Sequence, residues 1–268
     1  METGLSGKHA IITGASGGIG IETVKMFLSE GAKVTGTYNS SLRELDSLQG
    51  NWPNHLQLVK TDQTNESEVE SLFKQANEKF GRADILVANA GIANHEGTAI
   101  QDMPLKQWEK TISVNLTGSF LCAKHFFVNL EKHEGETASL ILVGSTAGFF
   151  GEAWYSDYAT SKAGMHGLMM SLKNEITHIA PKGRVNLVNP GWTLTPMAEE
   201  ALTDKDMVTR ILQTIPMRKT ATPHDISSAI LYLASDLLAG HVSGQTINVA
   251  GGMEGRVLFT PGEIEPSE

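Results

Sequence analysis

Apolar residues along this chain fall into short dense runs, separated by longer stretches in which apolar and polar positions recur with helical spacing. The runs are HAIIT (9–13), KVTGTY (33–38), LQLVKT (56–61), DILVAN (84–89), SLILVGS (139–145), RVNLVN (184–189) and QTINVA (245–250). Between them, amphipathic segments predict helices near 18–30, 41–49, 65–80, 104–131, 157–179 and 223–236. Strands alternating with helices predict an α/β fold, a doubly wound (Rossmann) sheet of about seven mostly parallel strands with helices on both faces. The strand runs are nearly continuous in apolar character, as expected where helices cover both faces of a sheet.

No repeat, low-complexity tract or Pro/Ser-rich linker interrupts the pattern, so residues 1–268 read as a single domain. The connection 192–222 is longer than a tight link between strand and helix needs, which makes it a candidate substrate lid. The tail 253–268 ends in acidic, proline-containing sequence, and its last residues are expected to be loose.

Composition narrows the function. With 268 residues, 40% of them hydrophobic, the chain can enclose one sizeable core. A formal net charge of −9 argues against nucleic acid or an anionic membrane as the main partner. The single cysteine, Cys122, cannot form an internal disulfide, so a reduced cytoplasm is expected. The N-terminus METGLSGKHAIITG carries no signal-like region and no window reaches ~18 apolar residues, so a soluble, unprocessed protein is expected. The nine histidines are scattered without an HExxH or a Cys/His cluster, and no metal site is expected.

The first strand runs into TGASGGIG (13–20), where Gly14, Ser16, Gly18, Ile19 and Gly20 mark a sharp turn into a helix. Free N–H groups and the positive dipole end of such a helix suit a diphosphate. The spacing G-x-x-x-G-x-G is not the commonest dinucleotide fingerprint, so strand-before and helix-after carry the reading; an ordinary glycine-rich turn is the alternative. At the end of the second strand, where an acidic residue usually meets an adenosine 2′-hydroxyl, stand Tyr38, Asn39, Ser40 and Ser41, with Arg43 beyond. No carboxylate there repels a 2′-phosphate, which favours NADP(H) over NAD(H). Against this, Gly17 offers no basic side chain, and Arg43 also reads as a solvated residue on a surface helix.

In YSDYATSK (155–162), Tyr158 and Lys162 are one helical turn apart on one face, whereas Tyr155 is two turns from the lysine. Tyr158 is therefore the acid-base candidate. Lowering a phenol from about 10 by ~3 units asks for roughly 4 kcal/mol favouring the phenolate. The ammonium and an oxidised nicotinamide supply that in a partly desolvated cleft. Taken alone, such a pair is common on surface helices. Ser145 ends the fifth strand, at the edge where open α/β sheets bind ligands, and reads either as a substrate contact or as a strand-end cap. Asn115, in SVNLTGSF, is a poor helix former in mid-helix, either a buried functional amide or a tolerated misfit.

Together TGASGGIG, ANAG (88–91), Asn115, Ser145, Tyr158-x-x-x-Lys162 and NPGWTLTPM (189–197) resemble the short-chain dehydrogenase/reductase family, in family order from residue 8 to about 252. The resemblance implies that Tyr158 exchanges the substrate proton, that Lys162 lowers its pKa and binds the nicotinamide ribose, and that Ser145 orients the reacting oxygen. Asn115 would hold a water linking Lys162 to solvent. Asp62 matches the residue near adenine, Asn89 and Gly91 the segment flanking the adenosine ribose, and Pro190, Gly191, Thr193 and Thr195 the stretch holding the carboxamide and phosphates. Thr193 replaces a commoner aliphatic residue at what is usually a backbone contact. A homotetramer packed through the helices carrying Asn115 and Tyr158 is also implied.

Phe149, Phe150, Trp154, Tyr155, Trp192 and Met197 bracket these residues and suggest an apolar wall suited to an aliphatic, aromatic or alicyclic ketone. Core or subunit-interface packing is the alternative for them. The expected reaction is hydride transfer between NADP(H) and a small-molecule carbonyl or secondary alcohol. The alternatives are an NAD-linked alcohol dehydrogenase, a 3-oxoacyl thioester reductase and a dinucleotide sensor without turnover.

Overall fold

The computed structural model describes residues 2–42, 44–94, 96–198 and 203–264. Its centre is a sheet of seven parallel strands: β1 (His9–Ile12), β2 (Lys33–Tyr38), β3 (Leu56–Lys60), β4 (Ile85–Ala88), β5 (Thr137–Val143), β6 (Lys182–Pro190) and β7 (Thr246–Val249). They lie in the order β3-β2-β1-β4-β5-β6-β7, every neighbouring pair parallel. The winding direction reverses between β1 and β4, which opens a crevice at the carboxyl ends of those strands.

The helices are α1 (Gly18–Ser29), α2 (Leu45–Asn51), α3 (Glu66–Phe80), α4 (Leu105–Ile112), α5 (Gly118–Lys132), α6 (Thr146–Phe150), α7 (Ser156–Glu175), α8 (Lys205–Leu212), α9 (Pro223–Ala234) and α10 (Asp236–Ala239). Successive strand residues point to opposite faces, so each strand feeds two cores. Ile11, Leu86, Leu140 and Leu142 pack with α3, α5 and α7; Ile12, Val87, Ile141 and Val143 pack on the other face with α1 and α9. That double burial is why the strands lack an apolar-polar alternation.

Three departures from the sequence pattern bear on function. The helix expected over 104–131 is broken by a π-helical turn, Ser113–Thr117, which takes carbonyls off the regular ladder. The buried Gln63 amide donates to one of them, Val114 O, at 2.8 Å. The helices α6 and α10, of five and four residues, are too short to show periodicity, and each starts on a serine cap. Finally, the segment after β6 and the tail form a third apolar cluster of Ile211, Leu212, Ile215 and Ile264, with Trp192 and Phe259 packed against it. The looseness expected of the last residues concerns 265–268, which lie outside the described residues. Among the described residues, no helix is long and apolar enough to cross a membrane.

Candidate active site

At the carboxyl edge of β1 the chain turns through Gly14 with φ +63, a left-handed conformation that favours glycine. A Cβ added at Gly20 would run into the Gly14 carbonyl oxygen, so the turn can approach the helix only without side chains. Helix α1 then starts at Gly18, with Gly17 as an N-cap that offers no side chain, leaving N–H groups of its first turn for a ligand. The Asn89 side chain latches this loop to the end of β4, donating to Thr13 O at 2.9 Å and Gly14 O at 3.1 Å. Thr195 and Pro196 close over it, within 2.8 Å and 3.2 Å of where a Gly18 Cβ would be. Ser16, Gly18, Lys25, Glu44 and Pro196 line the resulting cavity. A bare cradle facing uncapped amides fits a dinucleotide diphosphate.

Around this cradle, Tyr38 is half-buried, while Asn39 and Ser40 are exposed just beyond β2. Arg43 lies outside the described residues; its neighbour Glu44 pairs with Lys25 at 3.2 Å. The Asp62 carboxylate accepts from Thr64 N at 2.9 Å and Thr64 Oγ1 at 2.7 Å, which fixes the turn after β3. Beyond Pro190 at the end of β6, Gly191 N donates to Val249 O at 3.0 Å, and buried Thr193 donates its hydroxyl to Gly191 O at 2.8 Å.

At the end of β5, Ser145 does two things. Its hydroxyl caps α6 by accepting from Ala147 N at 3.1 Å, and it stands near enough to the Tyr158 side chain to oppose the effect of burial on that phenol. One turn on in α7, Lys162 is only 4% exposed; its Nζ donates to Val143 O at 2.9 Å and lies 5.8 Å from the Tyr158 ring centre. A Cβ at Gly91 would stand 3.2 Å from both Lys162 Nζ and Asn115 Oδ1, so the glycine lets β4, the π turn and α7 converge. Asn115 is fully buried and bonded: it accepts from Ile92 N at 2.8 Å and donates to Ile92 O at 2.9 Å and Ser161 Oγ at 3.0 Å. Its main-chain oxygen accepts from Ser119 Oγ at 2.7 Å. The four residues expected to act together therefore do come together.

Burial pushes the Tyr158 phenol above its ordinary value, opposed by the Ser145 hydrogen bond. This differs from the depression expected from Lys162, whose amine is turned to the Val143 carbonyl. Burial also pushes the Lys162 amine down, to about 8. Both groups are thus shifted toward their neutral forms.

Sequence reasoning passed over Asp157. Its carboxylate is fully buried and accepts from Tyr158 N at 2.8 Å, Thr111 Oγ1 at 2.8 Å, Asn94 Nδ2 at 2.9 Å and Gln107 Nε2 at 3.4 Å. It pins the start of α7, and so Tyr158, to α4. A charged residue on the inward side of α7 was the available signal. The wall residues divide: Phe149 and Phe150 meet edge to face at 4.9 Å and, like Trp154 and Met197, remain exposed. Tyr155 is half-buried against Gly97. Trp154 sits at φ +67, an unusual conformation for a bulky residue, with its carbonyl accepting from Thr98 N at 2.7 Å. Trp192 instead packs into the third cluster with Ile211 and Ile215. Among the described residues, no group of three or more His, Cys, Asp or Glu is placed to hold a metal ion.

A family model described as Enoyl-(Acyl carrier protein) reductase matches residues 14–254. The 3-oxoacyl-(acyl-carrier-protein) reductase of Synechocystis is 34% identical over 255 residues, covering 94% of this chain and 98% of the relative. A crystal structure of a short-chain dehydrogenase/reductase described as glucose/ribitol dehydrogenase, from Brucella melitensis, superposes with TM-score 0.85 at 31% identity, covering 94% of this chain and 98% of that one. The chain belongs to the short-chain dehydrogenase/reductase family. It is an oxidoreductase of the class that works with a nicotinamide dinucleotide. Another relative, the cis-4-hydroxycyclohexanecarboxylate dehydrogenase of Sinomonas cyclohexanicum, is 32% identical over 244 residues, covering 91% of this chain and 95% of the relative.

In this short-chain dehydrogenase/reductase the buried lysine predicts a pH effect on stability. The folded Lys162 amine has a pKa of about 8 against 10.5 unperturbed, so the unfolded chain holds more protons between those values. Wild type should therefore gain stability relative to Lys162→Met as pH rises through about 8 toward about 10. Urea denaturation of both at several pH values measures this; a pH-independent difference contradicts it.

Proposed function

We propose that this enzyme moves a hydride between NADP(H) and a carbonyl or secondary alcohol carried by a compact apolar small molecule. The observation that carries the reading is the meeting of Ser145, Tyr158 and the buried Lys162 amine at the sheet's carboxyl edge. When bound, the nicotinamide supplies or accepts the hydride at the reacting carbon. In reduction, the Tyr158 hydroxyl gives its proton to the substrate oxygen, and Ser145 donates a hydrogen bond that holds that oxygen. A phenol held neutral by burial suits this direction. Lys162 faces the ribose side of the site and supports Tyr158 as its proton is lost. The Asn115 polar atoms are engaged by Ile92, Ser161 and Ser119, which favours a positioning role over the water relay. Gly14, Ser16, Gly18, Ile19 and Gly20 hold the diphosphate, Asp62, Asn89 and Gly91 the adenosine side, and Pro190, Gly191, Thr193 and Thr195 the nicotinamide side.

NADP(H) is favoured because Tyr38, Asn39, Ser40 and Arg43 bring no carboxylate to the end of β2. The exposed Phe149, Phe150, Trp154 and Met197 favour an apolar ketone, and a relative that acts on a substituted cyclohexane supports an alicyclic one. A second reading, 3-oxoacyl thioester reduction, is favoured by the Synechocystis relative. We further propose a homo-oligomer, a tetramer by the family resemblance, built on the exposed apolar groove between α5 and α7 lined by Phe120, Phe127, Leu168 and Leu172.

Energy transfer from the four tryptophans to bound dihydronicotinamide should show NADPH binding at least tenfold tighter than NADH, with the preference lost in Arg43→Ala. Equal or tighter NADH binding overturns the cofactor assignment. Tyr158→Phe should keep NADPH affinity within about twofold and lose at least ~10²-fold in kcat on any ketone turned over. Retained turnover overturns the role of Tyr158. Light scattering of Phe120→Glu should show a smaller species than wild type; an unchanged mass rules out the groove as the interface.

A further inference from the structure

The part of α7 that carries Tyr158 has no apolar anchor of its own. Over its first two turns the buried side chains are Asp157, Ser161 and Lys162, and the first fully buried apolar one is Met165, seven residues beyond Tyr158. The neighbouring α4 buries only Thr111. Apolar burial is non-directional, and here there is little of it, so directional polar contacts must fix the start of the helix. Ser161 and Lys162 serve the sides facing the π turn and β5, through Asn115 Nδ2 and Val143 O. Toward α4 the contact falls to Asp157.

The Asp157 carboxylate meets four donors and, among the described contacts, no acceptor. Its Oδ1 takes Tyr158 N, while Oδ2 takes Thr111 Oγ1, Asn94 Nδ2 and Gln107 Nε2. That is the shell of a carboxylate, which only accepts, and not of a carboxylic acid, which must also donate. All four donors are uncharged, and the charged side chains of α4, Lys106, Glu109 and Lys110, are exposed. A carboxylate taken out of water is costly, and the cost is offset here by these donors and by the amino end of the 20-residue α7.

The same bonds close a ring with the Trp154 turn. Gln107, held at Asp157 by its amide nitrogen, accepts from Thr98 Oγ1 at 3.2 Å, and Thr98 N donates to Trp154 O at 2.7 Å. The main chain from Trp154 to Asp157 completes it. Gly97 leaves room for the turn, since an added Cβ there would stand 2.7 Å from Trp154 Cβ and 3.2 Å from Tyr155 Cε2. We propose that Asp157 is a positioning residue for proton transfer: its ionised carboxylate clamps the first turn of α7 to α4 and to the loop after β4, and so fixes the height and rotation of Tyr158. Through the ring it also holds Trp154 at φ +67. This rests on the reading of Tyr158 as the acid. Asparagine at 157 keeps the shape but replaces an acceptor by a donor. One of Thr111, Asn94 and Gln107 then loses its partner or turns its own acceptor inward, and for Gln107 that turn releases Thr98.

The test measures kcat and KM for a turned-over ketone, and NADPH affinity from the midpoint of tryptophan energy transfer, in wild type and Asp157→Asn. A double variant, Thr111→Val with Gln107→Leu, removes two of the donors and leaves the carboxylate in place should Asp157→Asn not fold. Tyr158→Phe is run beside them. The expected kcat is lower by at least about tenfold in Asp157→Asn and about threefold in the double variant, with NADPH affinity and ketone KM within about twofold of wild type. Loss of NADPH affinity in step with kcat makes Asp157 a general support of the fold and overturns the proposal. Unchanged kcat in the folded variants, with Tyr158→Phe inactive, overturns it as well. Turnover retained in Tyr158→Phe is the different failure, that of the acid reading, and removes the positioning role with it. If wild type binds NADPH but turns over no ketone, the clamp is judged by amide hydrogen exchange over residues 154–160. Exchange at least about tenfold faster in Asp157→Asn then supports it, and unchanged exchange overturns it.

Discussion

The rest of the site depends on keeping a lysine amine out of water. Lys162 is almost fully buried, and its ammonium form is costly there unless hydrogen-bond acceptors are supplied by fixed backbone. The Val143 carbonyl meets this need, and it can do so because β5 ends there and the chain turns away into Ser145. Close packing completes the arrangement. Gly91 and Gly148 leave the space that the lysine and the π turn occupy, an added Cβ at Gly148 lying 2.9 Å from Lys162 Cβ. One buried amine thus sets the mutual positions of β4, β5, the π turn and α7, and with them the depth of Tyr158.

The two ends of the cleft follow different physics. The dinucleotide end is built from backbone: a left-handed glycine, an uncapped helix start and an asparagine latch between β1 and β4. Its tolerance for change is small, since side chains at Gly18 or Gly20 collide with Thr195 or the loop's own carbonyl. The substrate end is built from exposed apolar side chains on short elements, α6, the Trp154 turn and the post-β6 segment. Under the proposed function selectivity is set there, because those elements can change without disturbing the sheet.

Much of this was legible in the sequence because the signals were covalent or periodic. Strands buried on both faces must be dense in apolar residues, and the seven runs marked seven strands to within two residues. The four-residue spacing of Tyr158 and Lys162 places them on one helix face. What was not legible depended on distant partners. The π turn is stabilised by Gln63, some fifty residues away in sequence, and nothing local in SVNLTGSF distinguishes it from a continuous helix. Asp157 gains its meaning only from Asn94, Gln107 and Thr111. Trp192 looked like pocket wall by position, but Ile211, Ile215 and the tail bury much of it. The upward shift of the Tyr158 phenol comes from burial, a property of the whole fold that local spacing does not carry.

The central claim, that a hydride passes directly from the dinucleotide to the substrate carbon, is tested most directly by isotope tracing. NADPH deuterated at C4 of the dihydronicotinamide is incubated with the enzyme and a turned-over ketone, and the alcohol product is examined by mass spectrometry. The account predicts one deuterium on the carbinol carbon from one C4 face only, and none on that carbon when the label is in the water. Product labelled from solvent at carbon, or from both faces equally, would contradict it.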